Sequence, residues 1–427
     1  MRHERLLGYV LGGLLVVLGF FAAYQFVEPA PPRHLVLAAG PEDGAYWGYA
    51  QQYRAVLERS GISLEVRPTA GSVQNLDLLN DPASGVQAAI VQSGLLPGEG
   101  ARDLAALGSL FVEPVWIFTR LRPLPERLDQ LRGQRIAIGA ERSGTQALTR
   151  QLLAASGVGS TDAVMVPLGG QAAADALLDG DVDAVVLVNA VSSPVVRRLA
   201  ETPGVGLVSL ERAAAYAQIY PFLRNVVLHE GALNLERGLP DRDVELLAPK
   251  ASLLVNGNLH PALIDILMVA LKEIHGSGDV FSAPGTFPSP NGVDVPVAAE
   301  AQRFYDRGPP FLMRYMPFWA ATLLDRTAIL ALPVITLLLP LARILPSALD
   351  WRMKSRVWRW YSELAAIERR AAAGEAAAAR EELARVERDV AQMRLPTSHA
   401  HLAYHLRQHL YLVRRRLDDL PPPTTAG

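Results

Sequence analysis

Three short turns carry residue types suited to holding a small anion: Gly40-Pro41-Glu42-Asp43-Gly44-Ala45-Tyr46-Trp47-Gly48, Thr69-Ala70-Gly71-Ser72-Val73-Gln74-Asn75-Leu76 and Gly139-Ala140-Glu141-Arg142-Ser143-Gly144-Thr145. Each puts small or hydroxyl residues, among them Gly40, Gly44, Ser72, Ser143, Gly144 and Thr145, at or just before an expected helix start. First-turn N–H groups, the positive end of the helix dipole and Ser or Thr hydroxyls together hold a carboxylate or phosphate. Glycine lets such a ligand approach the backbone. Serine and threonine also cap most helices, and glycine makes most tight turns, so one turn alone says little. Three turns on alternating α/β units say more, because ligands of open sheets gather beyond the strand carboxyl ends.

Other side chains set the chemistry around these turns. Tyr46, Trp47 and Trp116 are candidates to wall a cleft, with core packing or hinge support as the competing role, and Asn189 beyond its strand can reach the cleft from a second lobe. Arg142 favours an anion; Glu42 and Asp43 disfavour one unless they point away, and would suit the amine of an amino acid. His401, His405 and His409 share a helix face, a spacing that permits a two-histidine metal site, yet no carboxylate follows at a matching offset before Asp418. No metal or cofactor is expected. No Ser, His and acid set falls on neighbouring strand ends and no phosphate loop with lysine occurs, so an enzyme is not expected.

The elements that must position these turns alternate short apolar runs with helical periodicity, an α/β signature. Strands are expected at His34–Ala39, Ile62–Arg67 and Gln87–Gln92, with helices at Ala45–Arg59 and Val73–Asn80 between them. A second series has strands at Arg135–Gly139, Ala163–Val166 and Ala184–Val188 and helices at Thr145–Ser156 and Ala172–Asp179. Phe111–Arg120, rich in β-branched and aromatic residues, reads as a crossing between lobes, with Ala215–Val227 as the return.

In this order the motifs resemble the TAXI family, the solute-binding subunits of tripartite ATP-independent periplasmic (TRAP) transporters, over about Leu35 to Arg307. Thr69 to Leu76 is similar to the family's T-x-G-S-x-x-N-L segment, which brings in Val73 and Asn75. Val91-Gln92-Ser93 is similar to a strand end that carries a polar ligand contact, here Gln92. Leu131 to Gly139 with Ser143-Gly144-Thr145, and Leu178 to Ala184, resemble two further family segments. The resemblance implies an α/β, bilobal, type II periplasmic-binding-protein fold whose lobes close on a carboxylate such as glutamate or 2-oxoglutarate. Pro41, Glu42, Asp43, Glu141 and Arg142 depart from the family's pattern. The lobes are expected as residues 34–120, 121–222 and a return over 223–310.

Two uncharged apolar stretches, Leu6 to Val27 and Thr327 to Ala342, bracket this region. The first is long enough, at about 1.5 Å per residue, to cross a hydrocarbon core roughly 30 Å thick. It reads as an uncleaved anchor (6–27, after a short N-terminus at 1–5) in preference to a removed signal peptide, followed by a linker at 28–33. The second, taken as 327–345 after a juxtamembrane segment at 311–326, reads as a transmembrane helix in preference to an interfacial one. Arg2, Arg5, Arg343, Arg352, Lys354, Arg356 and Arg359 lie outside both stretches, which puts both chain ends in the cytoplasm and the central domain in the periplasm. Ser355–Arg394, with an apolar stripe of Val357, Leu364, Ile367, Leu383, Val386, Val390 and Met393, and a second helix from Thr397 or Ser398 to about Leu420, with a stripe of Leu402, Leu406, Leu410, Val413 and Leu417, read as a C-terminal cytoplasmic α-helical hairpin (351–420) before a disordered tail at 421–427.

The 427-residue chain has a net charge of −2, which gives no argument for nucleic acid, and no cysteine, which excludes disulfides and thiolate chemistry. The expected function is capture of an organic acid or amino acid for a membrane permease, with the lipid bilayer as a further partner. The alternative is a sensor or scaffold signalling through the second stretch to the hairpin.

Overall fold

The computed structural model describes residues 30–96, 103–324, 354–355, 357–392 and 400–419, with residues 21, 336 and 351 singly. Residues Pro29–Asp325 form one compact unit, and the C-terminal helices belong to another.

In the first unit, lobe 1 is a five-stranded sheet of order β2-β1-β3-β12-β4, made of β1 (His34–Ala38), β2 (Ser63–Arg67), β3 (Ala88–Gln92), β4 (Leu104–Val112) and β12 (Lys250–Asn256). β1 pairs parallel with β2 and β3, and β12 antiparallel with β3 and β4. Side chains alternate across a strand, so Leu35 and Leu37 pack with Tyr53 of α1 (Ala45–Arg59) while Val36 and Ala38 pack with Leu76 and Leu79 of α2 (Ser72–Asn80). Covering both faces accounts for a strand that reads as a continuous apolar run.

Lobe 2 repeats the plan as β7-β6-β8-β5-β9, with β5 (Val115–Thr119), β6 (Arg135–Ala137), β7 (Val164–Val166), β8 (Ala184–Val188) and β9 (Gly206–Leu207). Val115 and Ile117 join the core under α3 (Gly144–Ala155), and Trp116 and Phe118 the core under α4 (Gly170–Asp179) and α5 (Pro194–Glu201).

The chain passes from lobe 1 to lobe 2 at Glu113-Pro114, within the expected Phe111–Arg120 crossing. The return differs from expectation. Ala215–Val227 stays in lobe 2, as α6 (Ala213–Ile219) and part of β10 (Arg224–Leu228), because Leu223 and Leu228 are buried in lobe 2 cores. β10 pairs antiparallel with β11 (Val244–Ala248), and the chain crosses back at Pro249 into β12. Each crossing carries a proline, which interrupts a ladder. The Glu113 N–H donates to the Pro249 carbonyl at 3.0 Å, tying the two crossings together. Helices α7 (Pro261–His275) and α8 (Ala299–Arg307) complete lobe 1.

In the second unit, the single long helix expected over Ser355–Arg394 is two. Residues 357–372 are helical, the chain turns at Gly374 with φ of 91°, and α9 runs Ala376–Ala391. Glycine is a poor helix former and enters the left-handed region freely, which permits the break. With α10 (Ala400–Asp418) these helices bury Val357, Leu364, Ile367, Leu383, Val386, Val390, Leu406, Leu410, Val413 and Leu417, all positions on the expected apolar stripes. Both apolar stretches, 6–27 and 327–345, lie almost wholly outside the described residues, as does Met393. Among the described residues no helix is long and apolar enough to cross a membrane.

Candidate ligand-binding cleft

A cavity of about 260 Å³ lies between the lobes, at the strand carboxyl ends. Four helices begin on it. Gly44, Ala45 and Tyr46 at the start of α1 line it, as do Gly71 and Ser72 of α2, Ser143, Gly144 and Thr145 of α3, and Gly169 and Gly170 of α4. Three of the N-caps are glycines, Gly44, Gly71 and Gly169, and none of these three helices has a side-chain cap bond. Apart from the Gln74 N–H of α2, which donates to the Arg142 carbonyl at 3.4 Å, their first-turn N–H groups are open to whatever fills the cavity, and the four dipoles favour negative charge there. α3 differs: the Ser143 hydroxyl accepts from the Gln146 N–H at 3.1 Å and donates to the Ala140 carbonyl at 2.6 Å, so it is committed to capping.

Lobe 1 supplies the polar side chains. The Ser72 hydroxyl accepts from the Gln92 N–H at 3.0 Å, which fixes the end of β3 against the start of α2. Gln92 is buried, and its side-chain nitrogen has no hydrogen-bond partner. Glu113 stands on the crossing, 2% exposed, and its carboxyl accepts from the Tyr46 hydroxyl at 2.6 Å. Burial pushes Glu113 up to about 8, partly offset by that hydrogen bond. Tyr46 is raised in turn, first by desolvation and then by the neighbouring Glu113. Asp43 reaches over the mouth, its carboxylate 3.0 Å from where a Cβ on Gly170 would stand. No Lys, Arg or His is among the described residues lining the cavity.

Of the residues singled out in the sequence, Gly44, Tyr46, Ser72, Gln92, Ser143, Gly144, Thr145 and Asn189 come together here. Five do not line the cavity. Gly40 is buried at the strand end of the first turn and Val73, on α2, is half-buried, and neither is among the lining residues. Asn75 is fully buried; its amide nitrogen donates to the Ala39 and Ile90 carbonyls, and its oxygen accepts from the Thr69 hydroxyl. It fixes the strand ends that carry the site. Trp116 is fully buried in the lobe 2 core, with its indole N–H on the Asn189 carbonyl at 2.9 Å, so it orients Asn189 from behind. Arg142 is exposed and ion-paired with Asp77 of lobe 1 at 2.5 Å. Its φ of 63° makes it the one non-glycine residue at positive φ among the described residues. Trp47 packs against the lobe 1 core.

Sequence reasoning missed Glu113 and the Gly169-Gly170 pair. A single acid inside the apolar run Leu104–Thr119 was the signal for the first. A fourth strand–glycine–helix turn was the signal for the second. Asp43 was noticed, as a departure from the family pattern.

Comparison with curated proteins gave no sequence match. Among solved structures the chain is similar to a histidine kinase sensor domain with similarity to periplasmic binding proteins, at 17% identity and TM-score 0.39, covering 59% of this chain and 94% of that one. It is also similar to the periplasmic aliphatic sulphonate binding protein SsuA from Escherichia coli, at 16% identity and TM-score 0.37, covering 74% and 94%. A third is an ancestral arginine-binding protein bound to arginine, at 13% identity and TM-score 0.38, covering 57% and 92%. The sequence matches the NMT1-like family over residues 37–271, more than half of the chain, and the protein belongs to that family.

Proposed function

We propose that the chain captures a small solute bearing an anionic group, an organic acid or amino acid, in the cleft between its lobes. Three glycine-capped helix starts and a fourth opening on one small cavity carry this reading. Backbone N–H groups left without side-chain caps are the usual seat of a carboxylate or similar anion. The cavity volume is below the range typical of drug-sized sites, which suits a solute of a few heavy atoms. Capture then proceeds by hinge closure about Glu113-Pro114 and Pro249, with ligand favouring the closed state. The domain works in the periplasm, held at the inner membrane by the apolar stretches 6–27 and 327–345, and passes its solute to a TRAP-type permease. The permease part of the reading rests on the TAXI resemblance.

Thermal unfolding of the full-length chain against amino acids, dicarboxylates and sulfonates tests capture. A ligand at a hundred times its Kd should add about 2.7 kcal/mol of stability. No shift with any of them would sink the reading.

The C-terminal helices favour a second reading, since they have a core of their own that solute capture does not require. In it, cleft occupancy is signalled through the second stretch to the cytoplasmic hairpin. Deleting residues 351–427 separates the two: unchanged uptake with a lost regulatory response favours signalling, and lost uptake favours docking to a permease.

A further inference from the structure

Glu113 is the buried acid of the cleft, and an anion seated on helix N-termini leaves it unexplained. It is nine-tenths buried and more, lines the cavity, and no cationic side chain pairs with it among the described residues. Across the same cavity the buried Gln92 side-chain nitrogen has no acceptor. An unpaired donor and an uncompensated acid thus face one small space, and each costs free energy until a ligand supplies its complement.

Resting on the solute-capture reading, we propose that Glu113 is a specificity-determining residue that receives the protonated amine of the ligand and releases its own proton to solvent as the ligand binds. The neutral carboxyl loses H⁺, and the resulting carboxylate pairs with the incoming ammonium, so the buried pair is net neutral. The ligand's anionic end lies on the helix starts and accepts from Gln92.

The groups around Glu113 leave this role open to the ligand. From α1 come Tyr46, which donates to it, and Tyr49; Asp43 precedes that helix, and adds negative charge to the same mouth. From β12, next to the crossing, Lys250 directs its ammonium to the Asn291 carbonyl at 3.0 Å. From α7, His275 is stacked on Phe111 and pushed down to about 3 by burial, so it is neutral; Asp279 follows beyond it, near Tyr49. None of these supplies a positive charge to the carboxyl. Burial raises it to about 8, which favours its protonated form at neutral pH.

Isothermal titration of the full-length chain with matched probes tests this: L-glutamate against 2-oxoglutarate and glutarate, and 2-aminoethanesulfonate against 2-hydroxyethanesulfonate. Titrations at pH 7 in phosphate and in Tris report protons released, because the two buffers differ in ionisation enthalpy. The expected result is that an amine-bearing probe binds at least about tenfold tighter than its amine-free counterpart, with close to one proton released. Glu113→Gln should lose both the preference and the buffer dependence while still unfolding cooperatively. If that variant does not fold, the wild-type buffer dependence decides alone. Amine-free probes binding as tightly, or enthalpies independent of buffer, overturn the role of Glu113 and leave solute capture standing. Binding of none of the probes overturns both.

Discussion

The two walls of the cleft are built from different material. Lobe 2 offers mostly backbone: Gly139, Ala140, Gly144, Gly169 and Gly170 have little or no side chain, the Ser143 hydroxyl is committed to its own helix, and Thr145 and Asn189 are its polar side chains on the lining. Lobe 1 adds to its own glycine-capped helix starts the side chains of Asp43, Tyr46, Ser72, Gln92 and, at the crossing, Glu113. Backbone N–H groups recognise negative charge without much regard to what bears it, whereas fixed side chains distinguish one molecule from another. Glycine-capped helix starts come from both lobes, at Gly44 and Gly71 in lobe 1 and Gly169 in lobe 2, whereas the acidic side chains come from lobe 1 and the crossing alone.

This contrast can be broken from either wall. The largest effect is expected at Glu113, on stability in the absence of ligand. Its folded-state value lies above the ordinary carboxyl range, so the folded protein holds a proton that the unfolded chain gives up. That contribution is whole below about pH 4.5 and is lost as pH rises through about 8. Thermal unfolding at pH 5 and pH 8 should show Glu113→Gln gaining on wild type by on the order of 3 kcal/mol across that interval. Equal pH dependence of the two proteins would show that Glu113 is not held neutral.

Gly144→Val attacks the backbone wall. A Cβ there meets the Gln92 side-chain oxygen at 2.8 Å and the Ser72 hydroxyl at 3.1 Å, both from lobe 1. Because those atoms are side-chain ends, the folded lobes can adjust; the cleft cannot, and affinity for any bound probe should fall on the order of a hundredfold, about 2.7 kcal/mol by calorimetry. A loss under threefold would mean that the two walls do not meet as described.

Ser143→Ala sharpens the comparison, since the hydroxyl caps α3 and is not offered to ligand. Stability should drop by about 1 kcal/mol in denaturant titration, with ligand affinity changed less than threefold. A large affinity loss without a stability loss would instead make the hydroxyl a ligand contact.

The smallest change is expected for Arg142→Gly. It removes an exposed ion pair to Asp77, contributing roughly 0–1 kcal/mol, and relieves a left-handed backbone position that costs about as much. Net stability should stay within about 1 kcal/mol, while ligand release, followed by stopped flow, should quicken because a contact across the mouth is gone. Release at the wild-type rate would remove Arg142 from the closure.

The central fold was legible because its signals are local. Ala45–Arg59 and Ala184–Val188 have the boundaries expected from periodicity, and strands such as β1 and β3 differ from expectation by a residue at an end. The return crossing was not legible: β10 and Ala215–Val227 have the composition of a crossing, and only burial of Leu223 and Leu228 in lobe 2 holds them there. The C-terminal helix was legible in its stripe but not in its break, since an isolated glycine such as Gly374 is tolerated in many helices and turns only where packing lets the chain fold back.

In the cleft, hydroxyls and glycines at helix starts announced themselves as residue types at a spacing, and eight of thirteen chosen residues line the cavity. Asn75 and Trp116 stood in the same motifs yet serve the scaffold, because sequence order does not say which side of a turn or strand meets solvent. The sequence by itself determined the alternating α/β elements and the glycine- and hydroxyl-bearing turns at helix starts, since propensity, periodicity and capping act over a few neighbouring residues. Only the tertiary structure decided that Glu113 is buried with Tyr46 and, among the described residues, without a cation, because the burial and charge around it come from segments far apart in the chain.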